Sequence, residues 1–365
     1  MVQFRVRTQS GSYEVAVGRA AWRRIGAFCL RAGYSSVFIV TEPDIWKHWG
    51  KRFLGETGLR SKSVLLIPSG ERSKSLRQVR ILAEELIERG ADRESALVTL
   101  GGGVVGDVAG FVGSIYMRGI DTLQAPTTMV GQVDSAIGGK NGVNLPGAKN
   151  ILGSLAPPRL VAANPEVLRS LSPRAYRSGI FEVIKHGIIR DPALFRFLEQ
   201  NREAILSQSP RVMERLVAWG AKIKIQVVVR DEKESGLRRI LNFGHTLGHA
   251  LEAATGYRRL LHGEAVGWGM LMATRIAAGK KMLARREEEK IRALIGSYGP
   301  LPSLQGINAK QLIPFLARDK KTVRGVVHWI LPVRVGAVRV TTRVSPREIQ
   351  KAVLAVQRLS LGGAE

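Results

Sequence analysis

Residues 95–119 read SALVTLGGGVVGDVAGFVGSIYMRG, a short apolar run that breaks into three glycines and resumes with a helical pattern. Gly101, Gly103 and Gly106 satisfy G-x-G-x-x-G directly after a strand-like run and at the opening of a helix, the context this motif requires. Glycines there let the backbone approach a pyrophosphate, while the helix N-terminus offers N–H groups and a positive dipole end. A tight turn packed against a neighbouring helix is the bland alternative, and the context favours nucleotide phosphate binding. In the ordinary dinucleotide fold this loop follows the first strand, whereas here it follows roughly the fourth. Spacing alone nominates Asp121, about 20 residues on, as the ribose partner.

Working outward, SSVFIVT (35–41) and KSVLLIP (62–68) are further strand candidates. Between the strands, DIWKHWGKRFLGE and SLRQVRILAEELIERG repeat apolar residues at helical spacing, with Gly90 placed as a C-terminal cap. Strands alternating with helices predict a parallel sheet covered on both faces. QFRVRT and YEVAVG, flanking Gln9-Ser-Gly-Ser, predict an antiparallel hairpin at its edge. From about Leu168 the texture turns helical: YRSGIFEVIKHGII, ALFRFLEQNREAIL, VMERLVAWGAKIKIQVVV, GHTLGHALEAA and GEAVGWGMLMATRIAAG, with strand character again only near VVHWILP (326–332). The expected class is therefore α/β plus all-α. A nucleotide-binding domain over 1–164 is followed by a mostly helical domain over 165–365, with the boundary near Asn164-Pro165.

The composition, 45% hydrophobic and 24% charged over 365 residues, is that of a soluble globular protein long enough for two domains. No export signal or membrane span is visible, and the single cysteine suits a reducing cytoplasm, so a cytoplasmic location is expected. The formal charge of +26 fits a nucleic-acid binder or an enzyme with anionic substrates equally well. Its positive residues are scattered, aromatics are 6%, and no helix-turn-helix, zinc-finger or RNA-stacking signature occurs. Most of it reads as solvated surface.

In LNFGHTLGHALE (241–252) two histidines stand four apart, so both imidazoles project from one helical face. The zinc-protease pattern needs a Glu after the first His, and Thr246 stands there instead. The pair alone leaves a metal site, a catalytic pair and plain helix decoration open.

Together with GGGVVGDVAGF, EVIKHGII, HGEAVGWGM and PTTMVGQVDSAIGGKNGVNLPGAKNILGS (126–154), however, this block resembles the 3-dehydroquinate synthase family, in register from about Val37 to Leu331. The resemblance implies a homodimer of two-domain subunits that binds NAD and one divalent metal, zinc first and cobalt second. It implies conversion of 3-deoxy-D-arabino-heptulosonate 7-phosphate to 3-dehydroquinate and phosphate. By motif match it makes Glu182, His245 and His262 the metal ligands and His249 a proton-moving residue. Two imidazoles and one carboxylate leave coordination positions open, as a catalytic site needs. Gly102, Gly103, Val105 and Asp107 match the nucleotide loop, with Thr127 and Thr128 close by and Lys140 and Lys149 also on the cofactor side. PSGERSKS makes Glu71 and Lys74 better ribose partners than Asp121. Glu42 stands where the family usually has Asp.

The resemblance further implies that Asp134, Lys185 and Asn242 hold the polyol while Lys224 and Arg238 face its carboxylate, Arg suiting a planar anion. Lys140, Asn150 and Lys320 match phosphate contacts, with Lys321 an equal neighbour of Lys320 and Arg118 contributed by the partner subunit. Lys149 and Glu234 have supporting roles. Asn141 replaces a common Thr, and Ser170-Leu-Ser-Pro replaces a Leu-Pro turn. The rival readings are another sugar-phosphate cyclase making an inosose or valiolone, a metal-dependent polyol dehydrogenase, and a basic nucleic-acid binder. The last leaves Glu182, His245 and His262 without a purpose.

Overall fold

Ala96–Gly101 is a strand whose six residues are all buried, as expected of an apolar run sandwiched between helices. In the computed structural model, which describes residues 1–60, 63–146, 148–317 and 326–360, this strand lies in the first of two compact units. That unit comprises Met1–Ser172 and Pro210–Glu232. Its strands are β1 (Val2–Thr8), β2 (Gly11–Val17), β3 (Val37–Thr41), β4 (Val64–Leu66), β5 (Ala96–Gly101), β6 (Asp121–Pro126), β7 (Lys140–Leu145), β8 (Ala148–Leu155) and β9 (Leu160–Ala163). Its helices are α1 (Ala21–Ala32), α2 (Pro43–Thr57), α3 (Leu76–Glu88), α4 (Gly103–Ile115) and, later in the chain, α8 (Pro210–Arg230).

Seven strands form one sheet in the order β1-β2-β9-β6-β5-β3-β4. All its neighbours are parallel except β1 and β2, which form the expected edge hairpin with Thr8 opposite Gly11. On one face Leu82 and Leu86 of α3 and Val105, Val108 and Val112 of α4 are buried in one cluster. A separate cluster is formed by Trp22 and Ile25 of α1 and Phe53 of α2. Gly90, at φ +73°, caps α3 in the left-handed conformation that L side chains disfavour.

Strand order decides where a ligand can sit. From β3 the chain moves outward to β4, then returns to build β5 on the other side of β3, so the order reverses between β3 and β5. In parallel sheets, ligands bind beyond the carboxyl ends of the strands at such a reversal. Glu42 follows β3 there and Gly101–Gly103 follow β5, with Thr41 opposite Leu100 in the ladder. Asp121 lies at the opposite end, paired with Ala96 while Gly101 pairs with Pro126. Five residues of strand put it roughly 16 Å from the glycine loop, and its carboxylate accepts a 2.7 Å hydrogen bond from Tyr34. It is no ribose partner.

The second unit, Pro173–Ser209 and Lys233–Glu365, is mostly helical among its described residues. It contains α5 (Pro173–Ile189), α6 (Pro192–Gln200), α7 (Arg202–Leu206), α9 (His245–Ala254), α10 (His262–Gly279), α11 (Arg285–Ser297), α12 (Ala309–Ala317) and α13 (Pro346–Ser360). The segment ALFRFLEQNREAIL breaks at Asn201, whose side chain and backbone N–H both donate to the Phe197 carbonyl. The strand expected near 326–332 is β10 (Trp329–Arg334), paired with an unforeseen β11 (Ala337–Thr341).

A single cut at Asn164-Pro165 differs from this partition. Helix α8 packs against β1, β2 and the turns at Gly131–Ser135 and Pro165–Ser170, all in the first unit. Its apolar face, including Leu216, Val217, Ile223 and Val227, is fully buried. Helical periodicity reports a buried face but not the partner that buries it.

Candidate functional site

In the second unit, the candidate ligands start from three helices whose backbones meet at glycines. A Cβ on Gly263 of α10 would lie 1.8 Å from the Ser178 carbonyl of α5, and one on Gly269 would lie 1.9 Å from the Gly244 carbonyl before α9. Gly248 of α9 faces the Ala265 carbonyl of α10 at 3.0 Å from its missing Cβ. Gly244 also has φ +78°, so it serves both as left-handed entry to α9 and as contact surface. These close approaches bring Glu182, in the middle of α5, to His245 and His262, the first residues of α9 and α10.

The donor atoms of Glu182, His245 and His262 lie within 4.8 Å of one another. Glu182 Oε1 is 3.6 Å from His245 Nε2 and 3.4 Å from His262 Nε2. Ligand bonds of 2.0–2.2 Å in a tetrahedron put donors about 3.4 Å apart, so the three positions fit one divalent ion. Tautomers agree: His245 Nδ1 lies 3.1 Å from the Phe243 carbonyl, which can only accept, so that nitrogen carries the proton and Nε2 presents its lone pair. His262 Nδ1 meets Glu252 Oε2 at 3.2 Å in the same sense. The second oxygen of Glu182 pairs with Lys185, and both side chains are fully buried. Burying such a pair is costly for stability, which is the expense functional sites bear. For His262, burial lowers the imidazole pKa, but bonds to Glu182 and Glu252 more than offset it and hold it up to about 10.

His249 stands one turn beyond His245, its ring centroid 5.5 Å from that of His245 and 5.8 Å from that of His262. His249, Glu252 and His262 form a second set of donors within 4.8 Å. Glu252 was not among the expected site residues. It lies in the quoted histidine stretch, but a buried acid at the end of a helix has no distinguishing signal in sequence. Glu264 caps the start of α10: it accepts from the Leu261 N–H at 2.8 Å and holds Arg174 in a two-pronged pair at 2.6 and 2.8 Å. Arg238 is buried in the turn Leu237–Asn242, and Asn242 donates to Glu234, which adopts φ +62°.

In the first unit, a small concavity lies beside the glycine loop, lined by Gly101, Gly102, Gly103, Asp107, Gln124 and Asn141 among others. A Cβ on Gly102 would meet the Thr128 side chain at 2.9 Å, and one on Gly106 would meet Gln124 Oε1 at 2.8 Å, so Gly106 lets α4 lie close against β6 and Gly102 lets the loop lie close to Thr128. Val105 is buried, and Thr127 ties its N–H to the Gly101 carbonyl at 2.9 Å. Asp107, whose carboxyl is pushed up by burial and drawn down by Lys74, pairs with the buried Lys74 Nζ at 2.5 Å. Burial likewise raises the Glu42 carboxyl, opposed by a hydrogen bond from Ser69. Asp134 and Lys224 form an ion pair, Lys224 being nearly buried.

Lys140, Lys149 and Asn150 lie on the β7–β8 hairpin, a two-stranded sheet of its own. Asn141 ties the hairpin mouth through its amide to Gly139 and Ala156 at 3.1 and 3.0 Å, and Gly110 of α4 leaves room for its Oδ1. Arg118 is exposed beyond the far end of α4, φ +72°, roughly 20 Å of helix from Gly103. Lys320 and Lys321 lie outside the described residues.

Solved structures place this architecture among the sugar-phosphate cyclases. A 2-epi-5-epi-valiolone synthase from Streptomyces hygroscopicus subsp. jinggangensis, with NAD+ and Zn2+ bound, has a TM-score of 0.85 and 27% identity over 95% of this chain and 97% of its own. A 2-deoxy-scyllo-inosose synthase, complexed with carbaglucose-6-phosphate, NAD+ and Co2+, has a TM-score of 0.85 and 26% identity over 96% and 100%. Family models described as 3-dehydroquinate synthase N-terminal and C-terminal match residues 64–178 and 179–322. The 3-dehydroquinate synthase of Solibacter usitatus is 44% identical over 94% of this chain and 96% of its own length, and that of Koribacter versatilis 43% over 98% and 99%. The chain belongs to the 3-dehydroquinate synthase family.

Proposed function

We propose that this chain catalyses the reaction for which that family is named, converting 3-deoxy-D-arabino-heptulosonate 7-phosphate to 3-dehydroquinate and inorganic phosphate as a lyase dependent on NAD and a divalent metal. The observation that carries it is the Glu182–His245–His262 donor set, on a chain with 43–44% identity to named synthases. Glu182, His245 and His262 would hold the cation, zinc or cobalt in its place. Gly102, Gly103, Val105, Asp107, Thr127 and Thr128 would line the nucleotide, with Glu42, Glu71 and Lys74 toward its adenosine end.

When bound, NAD would supply a reversible hydride acceptor for the C5 carbinol, and a cation held by Glu182, His245 and His262 would supply Lewis acidity there. With C5 a ketone, the neighbouring C6 proton is acidic enough to leave as the C7 phosphate departs. The phosphate can take that proton itself, so no dedicated base is demanded. The overall conversion would release phosphate with no net oxidation.

Arg238 presents a planar fork to the carboxylate. Lys185, already paired with Glu182, orients a polyol hydroxyl, as does Asn242. Lys224 and Asp134 exchange part of their mutual ion pair for substrate. His249 moves protons to and from the polyol. Lys140, Asn150 and Lys320 bind phosphate with Lys149 in support, joined by Arg118 from a second copy in a homodimer. The chain has no described helix long and apolar enough to cross a membrane, and a cytoplasmic site of action is part of the proposal.

Purified protein incubated with NAD, zinc and the heptulosonate phosphate should release one phosphate per substrate consumed without accumulating NADH. Stoichiometric NADH would instead identify a polyol dehydrogenase. Turnover confined to other sugar phosphates would identify a cyclase making a different carbocycle.

A further inference from the structure

Asn144, near the end of β7, is not among the residues to which the proposed reaction assigns a role, yet it touches two of their segments. Its backbone N–H donates to the Lys74 carbonyl at 2.8 Å, and the residue forms a parallel bridge with Ser75. Its Nδ2 donates to Glu71 Oε1 at 2.9 Å. Its Oδ1 accepts the backbone N–H of Asn150 at 2.7 Å. Asn150 itself holds φ +50°, a left-handed conformation that a non-glycine residue adopts at a cost unless its surroundings fix it. Lys74 continues the chain of contacts to Asp107 in the glycine helix. One amide side chain thus joins the turn assigned to the adenosine end of NAD with the hairpin that carries Lys140, Lys149 and Asn150.

We infer that Asn144 is a positioning residue that couples the two ligands: NAD seated against Glu71–Ser75 fixes the Asn150 end of the hairpin for the substrate phosphate, and phosphate on the hairpin tightens NAD. The inference rests on the assignments under Proposed function. Coupling between two bound ligands is reciprocal by thermodynamic necessity. The hairpin does not depend on Asn144 to form, since Val143 is buried in the core and Asn141 closes its mouth. Both hydrogen-bonding ends of Asn144 must be present, because Nδ2 serves the nucleotide side and Oδ1 the phosphate side.

The test is calorimetric titration of NAD into the full-length protein with and without saturating inorganic phosphate, alongside steady-state kinetics. Phosphate should tighten NAD by about fivefold or more in the wild type, within the usual range of coupling energies. In Asn144→Ala that factor should fall to about one, with the substrate KM raised more than kcat is lowered. Asn144→Asp keeps the acceptor for Asn150 but sets a carboxylate against Glu71, so it should both weaken NAD and lose coupling. Thermal melts of both variants report whether they fold. Wild-type coupling surviving in Asn144→Ala or Asn144→Asp overturns the inference, as does a wild type that binds NAD with no phosphate effect. Wild-type protein that fails to bind NAD at all would sink the nucleotide assignment itself.

Discussion

Two donor sets share His262, and substituting single side chains separates them. His245→Ala should abolish retention of metal through dialysis, whereas His249→Ala should keep a full equivalent and lose turnover. Elemental analysis decides: metal kept in His245→Ala and lost in His249→Ala would move the ion to the His249–Glu252–His262 set, and equal depletion in both would overturn this division of labour. If Glu252 serves the metal by fixing the His262 ring through Nδ1, Glu252→Ala should weaken metal affinity by about 10–100-fold, the usual effect of removing a carboxylate behind a ligating imidazole. Glu252→Gln, which still accepts from Nδ1, should lose less. A chelator competition assay measures both. The Glu182–His245–His262 triplet could be named from sequence because each member sits in a motif that the family resemblance marks, and the fold brings their donor atoms within 4.8 Å. Glu252 and Asn144 could not be, since each acts through a hydrogen bond to a residue whose position only the fold defines.

At the scale of elements, the backbone contacts around α10 do what side chains do elsewhere. Gly263→Ala would drive a methyl into the Ser178 carbonyl, 1.8 Å from the added carbon, displacing α10 from α5 and His262 from Glu182. It should cost about 1–3 kcal/mol, the range for overpacking, and deplete metal together with stability. Gly55→Ala in α2, where the added carbon meets nothing within 4 Å, should instead stabilise by about 0.4–1 kcal/mol through a stiffer unfolded chain. Urea midpoints of the two variants should move in opposite directions. Most elements were visible from periodicity: the strands of the parallel sheet, the edge hairpin and the long helices all stand near their expected places. What periodicity did not reveal was pairing. VVHWILP gained β11, ALFRFLEQNREAIL split at a side-chain bond, and KNGVNLPGAKNILGSL became a hairpin, because a partner and not the local pattern decides such cases.

For the whole molecule, the net charge of +26 acts over a distance that salt sets, about 10 Å at 0.1 M ionic strength. If part of that field draws in a substrate bearing phosphate and carboxylate, kcat/KM should fall several-fold between about 0.05 and 0.5 M KCl while kcat stays near constant. A flat profile would leave the charge with no part in substrate capture. The α/β and helical character of the two halves was readable from the order of patterns. The assignment of α8 was not, because an amphipathic helix suits either unit until its neighbours are known. That assignment reaches into how the protein is made. A nascent polypeptide emerging from the ribosome has all nine strands of its first unit by residue 163, yet must wait until residue 230 for the helix that packs on β1 and β2. In the interval it has already released α5–α7 of the other unit. A gene truncated after Ser172 would therefore encode a sheet with one flank bare, prone to aggregate.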